Sequence, residues 1–144
     1  MTHAIMGEIK KVLLIDDDTD DNEYHEIIIK KTGAEVDLHT VNHPVKALDC
    51  WKKGCSAEDD KHVPDIVFLD INMPALNGFQ LLDEMKKVKA PDNRKEKMNV
   101  FMLTTSMNPD DFSKSIEKYG DIIKGYFTKP LTKQIFLDVL KECA

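Results

Sequence analysis

Acidic residues directly follow two short apolar runs in this 144-residue chain. The acidic cluster at 16–18 comes after the run at 12–15, and Asp70 comes after the run at 66–69. Each run is too short for a helix and has the continuous apolar character of a strand buried on both faces. In an open parallel sheet, ligands bind beyond the carboxyl ends of the strands. The two acidic positions are therefore candidates for one site.

Two further polar residues follow strand-like runs. Thr104 comes after the apolar run at 100–103, and Lys129 comes after a weaker candidate strand at 125–128. Another weak strand is predicted at 35–40. We expect strands one, three and five to lie side by side, which would bring three carboxylates together with the Lys129 ammonium.

Carboxylates at close range repel and raise one another's pKa unless a cation lies between them. A hard divalent cation held by carboxylate, carbonyl and water oxygens meets this need, and that ligand set suits Mg²⁺. Beside such a metal, a carboxylate can attack phosphorus and form an acyl phosphate. The charged phosphoryl oxygens then need donors, and Thr104 and Lys129 are of the right type in the right places.

Segments with helical spacing of apolar residues alternate with these strands. This alternation predicts right-handed βαβ units, and hence one α/β domain with a doubly wound, parallel five-stranded sheet and helices on both faces. Predicted helix starts are Asp20 or Asp21, Pro44, Asn77, Asn108-Pro109 and Thr132, and Gly54 is the predicted stop of the second helix. The predicted apolar stripes are Tyr24, Ile27 and Ile28; Val45, Leu48 and Trp51; Phe79, Leu82 and Met85; Phe112, Ile116 and Tyr119; and Phe136, Val139 and Leu140.

The composition is that of an ordinary globular protein, with 42% hydrophobic and 32% charged residues. The net charge of −6 argues against duplex nucleic acid as the main ligand. No apolar run approaches the roughly 20 residues of a membrane span, and no signal peptide is evident at the start. We therefore expect neither direct nucleic-acid binding nor membrane attachment.

Three cysteines form no C-x-x-C pair, and five scattered histidines show no metal-ligand spacing. A zinc site is therefore not expected. The odd number of cysteines predicts reduced thiols in a cytoplasmic protein.

Four motifs, taken in order, resemble the receiver domain of two-component response regulators. They are VLLIDDD at 12–18, PDIVFLDINMP followed by NG within 64–78, LTTS at 103–106 and GYFTKP at 125–130. The resemblance implies a flavodoxin-like (βα)5 fold at 11–142 behind an N-terminal extension at 1–10. The LTTS variant and the long acidic cluster are similar to stand-alone receivers, including some that work with bacterial phytochrome kinases.

The resemblance implies a role for each matching acidic residue. Asp70 would accept a phosphoryl group from the phosphohistidine of a histidine kinase. Asp17 would bind Mg²⁺ directly, helped by Asp70 and the backbone carbonyl of Asn72, with Asp16 acting mostly through water. Three other acids are expected to serve as helix cap and surface charge: Asp18, Asp20 and Asp21.

The resemblance also implies a conformational switch. Thr104 would donate its hydroxyl to the phosphoryl group and Lys129 would pair with it. Tyr126 stands at the position of the family's switch aromatic, which turns inward as the threonine is drawn to the phosphate. The peptide bond between Lys129 and Pro130 is expected to be cis. Asn72 and Ser106 stand at positions that tune the rates of phosphorylation and hydrolysis.

As a member of such a family, the chain would be a signalling protein and not an enzyme. Its expected partners are a histidine kinase or phosphotransfer protein and a separate downstream protein, because no second domain follows residue 142. The surface at 109–140 would change shape on phosphorylation. The expected oligomeric state is a monomer or a phosphorylation-dependent dimer.

Three other functions share some of these sequence features. A calcium-binding EF-hand loop needs Gly and Glu where Asp21 and Ile27 stand, so it fails. A phosphatase of the haloacid-dehalogenase type expects Thr or Val followed by an apolar residue at 20–21, plus a cap domain or a longer chain. The remaining alternative is a receiver-like module that binds partners without phosphate, and the intact set of acidic, hydroxyl and lysine residues argues against it.

Overall fold

The computed structural model describes residues 9–57, 63–89, 98–105 and 109–143. In these residues five strands alternate with five helices. The strands are β1 Lys10–Ile15, β2 Val36–Val41, β3 Ile66–Asp70, β4 Asn99–Thr104 and β5 Ile123–Thr128. The helices are α1 Thr19–Lys31, α2 Pro44–Ser56, α3 Gly78–Lys87, α4 Pro109–Tyr119 and α5 Lys133–Glu142.

All strand pairs are parallel, and the strand order in the sheet is β2-β1-β3-β4-β5. This is the predicted flavodoxin-like, doubly wound α/β fold, which is confirmed. The expectation that strands one, three and five lie side by side is wrong in one respect. Strands β1 and β3 are neighbours, but β4 lies between β3 and β5. Lys129, which follows β5, must therefore reach across the end of β4.

The core consists of two apolar layers, one on each face of the sheet. Side chains alternate along β3, so Val67 and Leu69 belong to one layer while Ile66 and Phe68 belong to the other. Residues of α2, α3 and α4 complete the first layer, and residues of α1 and α5 complete the second. The sheet is therefore covered on both faces, as continuous apolar strands require.

Most predicted helix starts are confirmed. Asn77 forms a capping box with Gln80 at the start of α3, and Thr132 caps α5. Helix α1 is capped by Asp18 and not by Asp20 or Asp21. Helix α4 begins at Pro109, while its predicted cap, Asn108, lies outside the described residues, as do Ser106 and residues 1–8 of the expected extension.

The prediction that helix α2 stops at Gly54 is wrong, because the helix continues to Ser56. Gly54 is buried inside the helix, so it is a packing position and not a terminus. Trp51 is buried as expected, and its indole N–H donates to the backbone carbonyl of Met85 in α3 at 2.9 Å. Val45, in contrast, is exposed.

The predicted apolar stripe of α1 is wrong. Tyr24 and Ile27 are exposed, and the buried face carries Asn22, His25 and Ile29. Asn22 explains this rotation, because its side-chain amide donates to two backbone carbonyls, one at 2.9 Å after β1 and one at 3.3 Å at the end of β2. These polar contacts turn the Asn22 face of the helix toward the sheet, so the most apolar stripe is not the buried one.

No helix in the described part of the chain combines the length and the apolar character that spanning a bilayer would require.

Candidate functional site

Three carboxylates meet at the carboxyl edge of the sheet. Asp16 and Asp17 directly follow β1, and Asp70 is the last residue of β3. Because β1 and β3 are paired with Ile15 beside Leu69, their ends coincide. One carboxylate oxygen from each of the three acids lies within 4.8 Å of the others. We call Asp16, Asp17 and Asp70 the acidic triad.

The environment of Asp70 disfavours its negative charge. Burial and the nearby Asp16 carboxylate raise the pKa of Asp70 to about 7, although Lys129 and a hydrogen bond from the Asn72 backbone amide act in the opposite direction. Asp16 and Asp70 are only 4% and 5% exposed, so water screens their repulsion weakly. The positive charge near the triad therefore does not balance its three carboxylates.

The acidic triad fits a hard divalent cation. The donor set consists of carboxylate oxygens, which Mg²⁺ prefers, and Asp17 is the most exposed of the three acids. A bound cation would also relieve the repulsion that raises the pKa of Asp70. Within the described residues this is the one such group of potential metal-ligating side chains.

Lys129 supplies the positive charge nearest to the triad. Its Nζ atom lies 2.6 Å from Asp16, 2.8 Å from Asp21 and 3.7 Å from Asp70. Burial by itself would lower the pKa of Lys129, but the hydrogen bonds and charges of these carboxylates outweigh it and raise that pKa. The backbone amide of Lys129 donates to the Thr104 carbonyl at 2.7 Å, which fixes the residue beyond β4. The predicted cis bond to Pro130 is confirmed.

Two acids of the N-terminal cluster differ in what they contact. Asp18 caps α1, as expected, since its side chain accepts from the backbone amides of Asp20 and Asp21. The prediction that Asp21 is a cap or surface charge is wrong, because its carboxylate binds Lys129. Sequence reasoning could not find this ion pair, since its partners are 108 residues apart.

Thr104 ends β4 and is fully buried. The side-chain amide of Asn72 donates to Thr104 Oγ1 at 3.3 Å. Asn72 follows β3 by two residues, so the loop that carries the expected metal-binding carbonyl also touches this hydroxyl. The structure thus brings Asn72 and Thr104 to the edge where the acidic triad lies.

Tyr126 is on β5, opposite Met102 of β4, two residues before Thr104. Its hydroxyl forms a hydrogen bond with the hydroxyl of Ser115 in α4, and its ring packs edge-on against Phe112 at 4.6 Å. Burial raises the pKa of Tyr126 to about 12. The side chain therefore lies against α4 in this structure.

Sequence reasoning assigned no role to two residues near the site. Ser115 is 2% exposed and lies between Phe112 and Tyr119 on the inner face of α4. A small polar residue on an apolar stripe is a sequence signal for a buried hydrogen-bond partner. Gly78 begins α3 beside the end of β3, and a Cβ there would lie 2.7 Å from the backbone oxygen of Asp70. Only glycine permits this close approach.

Known proteins are similar to this chain along most of its length. The family model described as "Response regulator receiver domain" matches residues 12–141. Response regulator Rcp1 of Synechocystis is 28% identical over 120 residues, which are 83% of this chain and 76% of the relative. Protein PilG of Pseudomonas aeruginosa is 29% identical over 133 residues, 91% of this chain and 84% of the relative.

A solved structure also matches. The two component response regulator from Cytophaga hutchinsonii superposes with a TM-score of 0.80 at 30% identity, and the match covers 95% of this chain and 98% of that one. The parallel sheet, the carboxylates at its carboxyl edge and these matches lead to the same conclusion. This chain belongs to the response regulator receiver domain family, the signalling module of two-component systems.

Proposed function

We propose that this receiver domain accepts a phosphoryl group on Asp70 from the phosphohistidine of a histidine kinase or phosphotransfer protein, and then signals to a separate protein. The observation that carries the proposal is the position of the Asp70 carboxylate. It lies within 4.8 Å of the other acidic triad oxygens and 3.7 Å from Lys129 Nζ.

The transfer is a nucleophilic substitution at phosphorus. A carboxylate oxygen of Asp70 forms a bond to phosphorus, and the bond between phosphorus and the donor's imidazole nitrogen breaks. The imidazole nitrogen keeps the electron pair of the broken bond. The product on this chain is an aspartyl phosphate. The donor histidine leaves as neutral imidazole, because its other ring nitrogen carries a proton during the transfer.

The residues around Asp70 have the chemistry that this transfer needs. The acidic triad and the backbone carbonyl of Asn72 would hold Mg²⁺, which when bound supplies positive charge to the phosphoryl oxygens. The Thr104 hydroxyl can donate to one phosphoryl oxygen, and the Lys129 ammonium can pair with another. In this assignment Asp70 is the nucleophile. The other side chains would position the phosphoryl group and neutralise the charge on its oxygens.

The signal would leave through α4, β5 and α5. Thr104 and Tyr126 lie on neighbouring strands, and Tyr126 is bonded to α4 through Ser115. A movement of Thr104 toward a phosphoryl group opens space beside Tyr126, whose inward turn would break the bond to Ser115. Helix α4 would then shift, and a partner that prefers the shifted surface would stabilise that state.

The cellular setting follows from the same chemistry. Phosphohistidine donors of this kind act in the cytoplasm, and the three cysteines Cys50, Cys55 and Cys143 are free thiols, as in a reducing compartment. We therefore place the protein in the cytoplasm. An association with a phytochrome kinase stays a prediction from the motif variant.

The test is intact mass after incubation with acetyl phosphate and Mg²⁺. Wild type should gain one phosphate, Asp70→Asn should gain none, and the gain should disappear when EDTA is added. Lys129→Ala should be labelled poorly and should lose the conformational response, measured by amide chemical shifts of α4. Undiminished labelling of Asp70→Asn would show that the acceptor is misassigned. No labelling of wild type by acetyl phosphate or by histidine kinases would favour the phosphate-independent binding module.

A further inference from the structure

Asp21 lies outside the acidic triad but contacts the same lysine. It is in the first turn of α1, and its Oδ2 atom accepts a hydrogen bond of 2.8 Å from Lys129 Nζ. The backbone amide of Asp21 donates to the carboxylate of Asp18, the cap of α1. The cap therefore fixes the turn that presents the Asp21 carboxylate to the ammonium.

The ammonium of Lys129 is shared unequally among three carboxylates. Two of its three protons can serve Asp16 at 2.6 Å and Asp21 at 2.8 Å, both at hydrogen-bond length. The Asp70 oxygen is 3.7 Å away, beyond that length. The Lys129 side chain is only 10% exposed, so water competes weakly for the ammonium. Lys129 is thus held beside Asp70 without bonding to it.

A phosphoryl group on Asp70 would bring anionic oxygens to this ammonium. Asp16 and Asp21 hold Nζ 3.7 Å from Asp70, so we expect Lys129 to move away from one of these two partners when it pairs with the phosphoryl oxygens. The Asp16 side chain is 5% exposed, so water cannot replace the ammonium there, and its contact with Lys129 is the shorter of the two at 2.6 Å. The Asp21 side chain is 37% exposed, so water can solvate it once the lysine leaves. Asp21 is therefore the partner that Lys129 gives up.

We infer that Asp21 is a positioning residue that holds the Lys129 ammonium away from Asp70, and that a phosphoryl group on Asp70 takes this ammonium from Asp21. The inference rests on the proposed function and adds a residue to it. The Asp21 carboxylate competes with the phosphoryl group for one cation. Asp21 therefore lowers the affinity of the site for that group, and its removal should raise that affinity.

The first test measures the affinity for beryllium trifluoride, an analogue of the phosphoryl group, in the presence of Mg²⁺. Asp21→Asn should bind it about three- to tenfold more tightly than wild type, the scale of one partly exposed ion pair. Asp20→Asn is the matched control, because it removes the same charge from the same turn at an exposed position. Asp21→Glu should restore the wild-type affinity, since it keeps the carboxylate.

A double-mutant cycle distinguishes an effect of Asp21 through Lys129 from an effect of its negative charge alone. In a Lys129→Met background, Asp21→Asn should change the affinity for beryllium trifluoride by less than about twofold. Equal tightening by Asp20→Asn, or persistence of the full effect without Lys129, would show that Asp21 acts only through its charge. Weaker binding by Asp21→Asn than by wild type would also overturn the inference.

The crystal structure of metal-free Asp21→Asn gives a readout that needs no phosphorylation. Lys129 Nζ should move to within about 3 Å of an Asp70 oxygen, because two carboxylates then outcompete a neutral amide. A nitrogen that stays at its wild-type distance from Asp70 would overturn the inference while leaving the proposed function intact. The proposed function fails separately, if acetyl phosphate and histidine kinases leave wild type unlabelled.

Discussion

The side-chain amide of Asn72 donates a hydrogen bond of 3.3 Å to the hydroxyl oxygen of Thr104, which joins the loop after β3 to the end of β4. Thr104 is fully buried, so this contact forms away from competing water. The hydroxyl that would donate to a phosphoryl group is therefore already engaged as an acceptor of the Asn72 amide. We expect its movement toward Asp70 to break or bend this bond.

Asn72→Ala should consequently make Thr104 easier to recruit. We expect the initial rate of phosphorylation by acetyl phosphate to rise about two- to fivefold, because one neutral hydrogen bond of about 1 kcal/mol no longer opposes the movement. The backbone carbonyl that would contact Mg²⁺ is unchanged. The measurement is intact mass against time, and Thr104→Val in the same background serves as control because it removes the hydroxyl. A rate equal to or below wild type would contradict the expected restraint.

Asp70 should make the metal-free protein less stable as the pH rises. Its pKa is about 7 in the folded protein against 3.8 for an unperturbed carboxyl. The folded state therefore binds this proton more tightly, and the stability contributed by the protonated form is complete below about pH 4 and is lost as the pH rises through 7. Asp70→Asn should raise the free energy of unfolding at pH 8 by about 1 to 3 kcal/mol, with little change near pH 4.

Urea unfolding in EDTA at both pH values measures this difference, with Asp20→Asn as the control for loss of one exposed charge. A destabilised Asp70→Asn variant at pH 8 would show that the carboxylate is stabilised by its neighbours and not repelled by them.

Ser115 should stabilise the position of Tyr126. The Ser115 hydroxyl donates its one proton to the Phe112 carbonyl at 2.7 Å, so the Tyr126 hydroxyl must be the donor in the bond between the two side chains. Ser115→Ala should lower the free energy of unfolding by about 1 to 2 kcal/mol, because a partly buried hydroxyl loses its acceptor. Urea unfolding measures the loss.

Tyr126→Phe should cost a similar amount, and the double variant Ser115→Ala, Tyr126→Phe should cost little more than either single change. Fully additive losses would mean that the two hydroxyls do not stabilise each other.

Gly78 should be required for the geometry of Asp70. A Cβ at this position would lie 2.7 Å from the Asp70 backbone oxygen and 2.9 Å from the Met102 side chain. Gly78→Ala should therefore displace the end of β3, lower the free energy of unfolding by about 1 to 3 kcal/mol and weaken Mg²⁺ binding. Thermal unfolding and Mg²⁺ titration measure the two effects.

Gly33→Ala is the matched control, because Gly33 has a φ of 76° but no neighbour within 4 Å of an added Cβ. It should lower stability by about 1 kcal/mol and leave Mg²⁺ affinity unchanged. Equal Mg²⁺ affinity in Gly78→Ala and wild type would show that the geometry of Asp70 does not require glycine at position 78.

The sequence alone determined the strands and the residues that end them. The apolar runs before Asp70 and Thr104 become β3 and β4, because a continuous run of this length can be buried only in a covered parallel strand. Caps at Asn77 and Thr132 were also predicted, since capping depends on hydrogen bonds to amides a few residues away. Local chemistry therefore indicated most elements and the edge of the sheet where polar residues meet.

The tertiary structure decided the contacts between distant segments. Strand order placed β4 between β3 and β5, so Lys129 reaches the triad across the end of β4. The polar contacts of Asn22 oriented α1, and this orientation brought Asp21 to Lys129 over a separation of 108 residues. Apolar periodicity predicts which face of a helix is buried. Long-range hydrogen bonds and ion pairs, which form only in the folded chain, can bury a different face. Strand order and helix orientation depend on contacts between segments that are distant in the sequence, so a local sequence pattern does not predict them.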